Sequence, residues 1–154
     1  MRFLGISIAL ICVLVGIVYF STSYQLGRDA EKELEKGNFQ EAHALAIQAL
    51  EEDPYNRLAF AVANQAKQRL NIQNFLKQSK ENQQDAFNIL KDGSLSPEEF
   101  LRLEWMVEEF NRSYRGLLIL NQPNEKEKEQ LEQYKLWFEN LNQRLNEVKQ
   151  IKNG

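Results

Sequence analysis

Few side chains in this chain are equipped for chemistry. His43 is the single histidine and Cys12 the single cysteine. His43 has no cysteine or serine nucleophile in a recognisable setting to serve, and the chain has no Cys/His framework for a metal. Cys12 lies in an apolar run, so no disulfide can form in the remainder. No Walker-type loop, GxGxxG or HExxH occurs. Asp92-Gly93-Ser94 looks like a fragment of a calcium loop, but the alternating oxygen ligands do not follow it. The glutamates are many, and on long amphipathic helices they are solvated. The expectation is therefore no catalytic residue, no metal, no cofactor and no enzyme activity.

What remains is the chemistry of binding. Trp105, Tyr134 and Trp137 are aromatics of the kind that anchor protein interfaces. A second set is charged. Acids dominate from Arg28 to Asp53, and the sign reverses from Arg57 to Lys91, where Arg57, Lys67 and Arg69 are candidates to hold an acidic partner segment or lipid headgroups. From Asp92 to Arg112 acids dominate again. The formal net charge of -3 and a pI near 5.4 give no basic surface for a nucleic-acid backbone.

The elements that must position these residues are helices. Glu, Lys, Gln, Leu and Asn dominate after Phe20, and the whole chain has only 7 glycines and 3 prolines. Leu26, Ala30 and Leu34 share one helical face, and Gly37-Asn38 breaks that helix. A second helix follows with Ala42, Leu45, Ala46, Ala49 and Leu50 inside, ended by Asp53-Pro54. Close packing of the two needs small side chains, Ala30 against Ala42 and Ala46. Arg57 to Leu70 and the stretch around Phe75 to Leu90 predict a second helix pair, 57–93. Ser96-Pro97-Glu98-Glu99 is a strong helix start. Two seams at three- and four-residue steps follow: Phe100, Leu103, Val107, Phe110, Tyr114, Leu117, and then Leu131, Tyr134, Phe138, Leu141, Leu145, Val148. Asn121-Gln122-Pro123-Asn124 separates them, so residues 94–154 predict an antiparallel hairpin. Trp105, Met106, Leu118, Leu120, Leu136, Trp137 and Ile151 fall off the seams. They pack on the rest of the protein or face a partner.

Residues 23–56 resemble a tetratricopeptide (TPR) repeat. Ala30, Gly37, Phe39, Ala42, Ala49 and Pro54 match that family's motif in register. Leu26 alone stands for the usual tryptophan-leucine-glycine opening, with Gly27 out of place, and Ala46 occupies an aromatic position. The resemblance implies an all-α, TPR-like stack of three antiparallel helix hairpins, since one repeat cannot bury its faces alone. It also implies a role in protein–protein interaction. Gly27 and Glu31 replace the lysine and asparagine of those repeats that grip a carboxylate terminus, so that subclass is rejected.

Ahead of these helices, Phe3 to Phe20 reads FLGISIALICVLVGIVYF without a charge. At about 1.5 Å per residue, 1–22 is long enough for a transmembrane signal-anchor. Ser21-Thr22-Ser23 would suit a cleaved signal, but the run is longer than a usual signal core and Met1-Arg2 is a short basic lead. Arg2 places the N-terminus in the cytoplasm and the bulk outside it, periplasmic in a bacterium. The expectation is a single-pass scaffold or assembly subunit of a membrane complex, binding other protein subunits. A periplasmic chaperone for extended segments and a protein self-associating through 100–117 and 131–148 are the alternatives.

Overall fold

The computed structural model describes residues 21–91 and 93–153. They form five α-helices: α1 Thr22–Glu35, α2 Phe39–Glu52, α3 Arg57–Leu90, α4 Pro97–Asn121 and α5 Glu125–Asn153. No strand occurs among the described residues, so the fold is all-α. The expected anchor, residues 1–22, lies outside the described residues except at its end, where Ser21 caps α1 and Thr22 begins it. Among the described residues no helix is long and apolar enough to cross a membrane.

The fold differs from expectation between Arg57 and Leu90. The expected pair of helices is one continuous 34-residue helix, α3, so the stack of three hairpins does not form. The polar residues around Leu70 read as an interruption, but Asn71, Gln73 and Asn74 are simply exposed while Ile72 is fully buried between them. No glycine or proline stands there to stop the helix. The buried set explains why its apolar pattern looked broken. Ala59, Val62, Ala63 and Ala66 keep steps of three and four, and Ile72, Phe75, Ser79 and Ala86 resume inside a different core after a step that breaks that rhythm.

The chain divides into two compact units, Met1–Leu70 and Asn71–Gly154. In the first, Ala30, Ala42, Ala46, Val62, Ala63 and Ala66 form the core, flanked by Leu34, Leu45, Leu50 and Leu58. The expected alanine contacts of α1 and α2 are therefore buried together. Gly37 makes the turn at φ +83°, a conformation that a Cβ disfavours. The inner face of α1 is centred on Ser23, Gly27 and Ala30 rather than on Leu26, which is half-buried. The Ser23 hydroxyl donates to the Ala49 carbonyl (2.8 Å). The Asn56 amide donates to the Ser23 carbonyl (3.0 Å) and hydroxyl (2.9 Å), and its oxygen accepts from the Ala59 N–H (3.0 Å). Asn56 thus caps α3 and ties it to α1. A Cβ on Gly27 would come within 3.3 Å of that Asn56 amide, so a larger residue there must displace the amide by a few tenths of an ångström.

In the second unit α3, α4 and α5 share one core. Phe138, Ile72, Leu103 and Leu131 are its largest fully buried side chains, each worth about 1.5–3 kcal/mol of apolar transfer. Phe110 stacks on Phe138 at 4.2 Å and meets Phe75 at 5.3 Å. The pairs Tyr114–Glu132 and Glu104–Lys149 run in opposite order along α4 and α5, so these helices are antiparallel as expected. Asn71–Asn121 and Asp85–Arg102 do the same for α3 and α4. Ser96 opens α4 with a full capping box: its hydroxyl accepts from the Glu99 N–H and the Glu99 carboxylate accepts from the Ser96 N–H. That bond to the Ser96 N–H, reinforced by the Ser96 hydroxyl, holds the Glu99 carboxyl below its usual range.

Candidate functional site

The binding residues expected from the sequence are dispersed by the structure. Arg57, Lys67 and Arg69 all lie on α3. At about 100° per residue, Lys67 and Arg69 project some 160° apart around the helix, so the three do not form one basic face. Arg57 and Lys67 are exposed and Arg69 is half-buried. Tyr134 is half-buried against the second core.

Trp105 and Trp137 do not form a shared patch. Among the described residues no ring contact joins them. Trp105 is 56 % exposed on the outer face of α4, one turn from Leu101 at 63 %. Trp137 lies half-buried on α5, edge-on to Phe138 at 4.8 Å and tilted against Phe87 at 5.5 Å. Met106, which falls off the seam by spacing, is buried at 2 %, because α3 covers the side of α4 that a two-helix hairpin would leave open. Leu118, Leu120 and Ile151 lie outside the described side chains.

Trp137 instead walls a groove of about 500 Å³ between the end of α3 and α5. Phe87, Leu90, Trp137 and Leu141 supply its apolar surface. Asn140, Gln143, Arg144 and Glu147 supply its polar lip. Glu147 accepts from the Gln143 amide at 3.3 Å. No ion pair engages Arg144 among the described residues. A partly covered indole beside an unpaired guanidinium suits a segment carrying one bulky apolar side chain and a neighbouring carboxylate. Phe87 is the lining residue that sequence reading did not single out. It sits in an apolar cluster by type, yet it is 56 % exposed. Its signal was a position one residue off the buried Ala86 register.

The heptad seams are used inside the unit. Leu103, Val107, Phe110, Tyr114 and Leu117 are buried, as are Leu131, Phe138, Leu141 and Leu145. At the far end of the hairpin the Tyr114 hydroxyl donates to the Glu132 carboxylate at 2.6 Å. Burial, and then this bond, pushes the phenol well above its ordinary value. The same bond, with one from Lys135, holds the Glu132 carboxyl low. In the first unit Ala30, Ala42 and Ala49 are fully buried, Phe39 is half-buried beside the turn, and Gly37 and Pro54 are exposed.

No family model matches the chain, and neither a curated protein nor a solved structure matches it.

Proposed function

We propose that the protein is a membrane-anchored helical scaffold that holds another protein subunit of a membrane-associated complex. The observation that carries this reading is the groove walled by Phe87 and Trp137, with Arg144 unpaired at its lip. Supporting it are the uncharged run Phe3 to Phe20, read as a single-pass anchor, and the alanine-packed α1–α2 pair, read as one TPR repeat. In this reading the N-terminus is cytoplasmic and the helical units lie on the other side of the membrane. The partner contributes an amphipathic helix or extended segment with an apolar anchor and a carboxylate.

Site-specific photocrosslinking on the full chain in membranes tests this. A photoreactive side chain at Gln143, on the groove lip, gives one discrete adduct, and the same group at exposed Lys126 gives none. Trp137→Ala removes the Gln143 adduct. Equal, diffuse labelling at both positions sinks the proposal.

A further inference from the structure

Tyr55 and Phe60 are large aromatic side chains with no role in either core. Tyr55 is 90 % exposed and Phe60 61 % exposed. Both flank the start of α3, where Asn56 is the capping residue. Aromatics at these two positions, just before the cap and four residues after it, would pair as a hydrophobic staple if their role were local. Their exposure shows that they do not.

Their position suggests another role. Asn56 is bonded to Ser23 through both the Ser23 carbonyl and hydroxyl, and Ser23 is bonded to the end of α2 at Ala49. The point where the chain leaves the apolar run is therefore pinned to the α2–α3 turn. Phe20, the last residue of that run, precedes Ser23 by three residues, a reach of at most about 11 Å. Tyr55 is the residue adjoining Asn56, and Phe60 lies about one helical turn further on. Gly37 and Gln40 belong to the opposite end of the α1–α2 pair.

We infer that Tyr55 and Phe60 seat this end of the first unit in the membrane interface beside the apolar run. Tyrosine, with an apolar ring and a polar hydroxyl, favours that zone, and a phenylalanine beside it buries its ring at the zone's apolar edge; the zone is several ångströms deep on each side of the hydrocarbon. The occupant is a zwitterionic lipid interface. Glu51, Glu52 and Asp53 are exposed at the same end, against Arg57 alone, so attraction to anionic lipid does not drive the contact. The inference rests on the anchor reading above and adds the face that meets the bilayer.

The test uses the full chain carrying Cys12→Ala, reconstituted in phosphatidylcholine vesicles, with a nitroxide on Glu52→Cys or, as control, on Gln40→Cys. Collision with oxygen and with a water-soluble nickel complex reads depth. The label at 52 is shielded from nickel and favours oxygen, while the label at 40 reads as water-exposed. Tyr55→Ser and Phe60→Ser, made separately, each raise nickel accessibility at 52 with helicity by circular dichroism unchanged. Tyr55→Ser cannot act through folding, since the side chain contacts neither core. A chain that does not float with the vesicles overturns the anchor reading, and this inference with it. A chain that floats but whose label at 52 is as water-exposed as at 40 leaves the anchor standing and overturns the interface contact, including the case where Tyr55 serves a protein partner. Shielding at 52 that survives both serine substitutions, or that needs phosphatidylglycerol, overturns the aromatic basis.

Discussion

Single side chains at two places in this protein do work that residue type alone does not announce. Asn56 looks like an ordinary helix cap, but its amide also holds Ser23 of α1. Asn56→Ala removes the cap and both bonds to Ser23, and is expected to destabilise the first unit by about 1–3 kcal/mol in urea unfolding. Ser23→Ala on that background adds less than it costs alone, because the two share one network. The Tyr114–Glu132 bond gives a pH dependence whose sign follows from the two shifts. Glu132 is held low in the fold, so its contribution is complete above the unfolded carboxylate value of about 4.3 and disappears as pH falls through the lower folded one. Tyr114 is pushed high, so its contribution holds below the unfolded phenol value of about 10 and is lost as pH rises beyond it. Tyr114→Phe should flatten the acid limb of stability against pH; an unchanged limb would show that the bond does not matter. Neither pairing is visible in the sequence, because Ser23 and Asn56 are 33 residues apart and Tyr114 and Glu132 are 18 apart.

At the scale of elements, helix ends were readable and one helix interior was not. Gly37, the Ser96 capping box and the break at Gln122 follow from local chemistry, and they stand where that chemistry puts them. Gly37→Ala is expected to cost about 1–2 kcal/mol, since a Cβ there must adopt the left-handed conformation; the midpoint of thermal unfolding measures it. Spacing also picked out the seams of α4 and α5, because each buries one stripe. The reading of α3 failed for a physical reason. A helix that serves two cores in succession changes its buried face partway, and a search for one stripe sees two helices with a gap. Gln73→Pro decides between the descriptions. Gln73 is exposed, and in a loop between two helices proline there would be tolerated. Inside continuous α3 it is expected to cost about 3 kcal/mol or more, with helical circular dichroism falling. The groove was illegible for a related reason. Its aromatic wall joins Phe87 of α3 to Trp137 of α5, and no spacing rule links helices so distant in sequence.

On the scale of the whole molecule, the two cores are built from different materials. Four alanine side chains and Ala63 accompany only one valine in the first, whereas phenylalanine, leucine, isoleucine and methionine fill the second. Alanine lets helices approach closely but removes little apolar area from water, so each buried residue of the first core contributes less at about 25 cal/mol per Å². The first unit should therefore open more readily. Native-state hydrogen exchange is expected to show α1 and α2 exchanging at a lower opening free energy than α4 and α5. Core substitutions should separate the two in the same experiment. Phe138→Ala leaves a cavity in the second core and is expected to cost about 3–5 kcal/mol, speeding exchange in α4 and α5. Ala46→Leu overfills the first core and is expected to cost about 1–3 kcal/mol, speeding exchange in α1 and α2 first. Both act on α3, whose two halves belong one to each core, so the exchange profile along that helix is the sharpest readout. A step in protection between Ala66 and Ile72 follows from two cooperative units sharing one helix. Uniform protection from Arg57 to Leu90 would mean that the helix couples them into one.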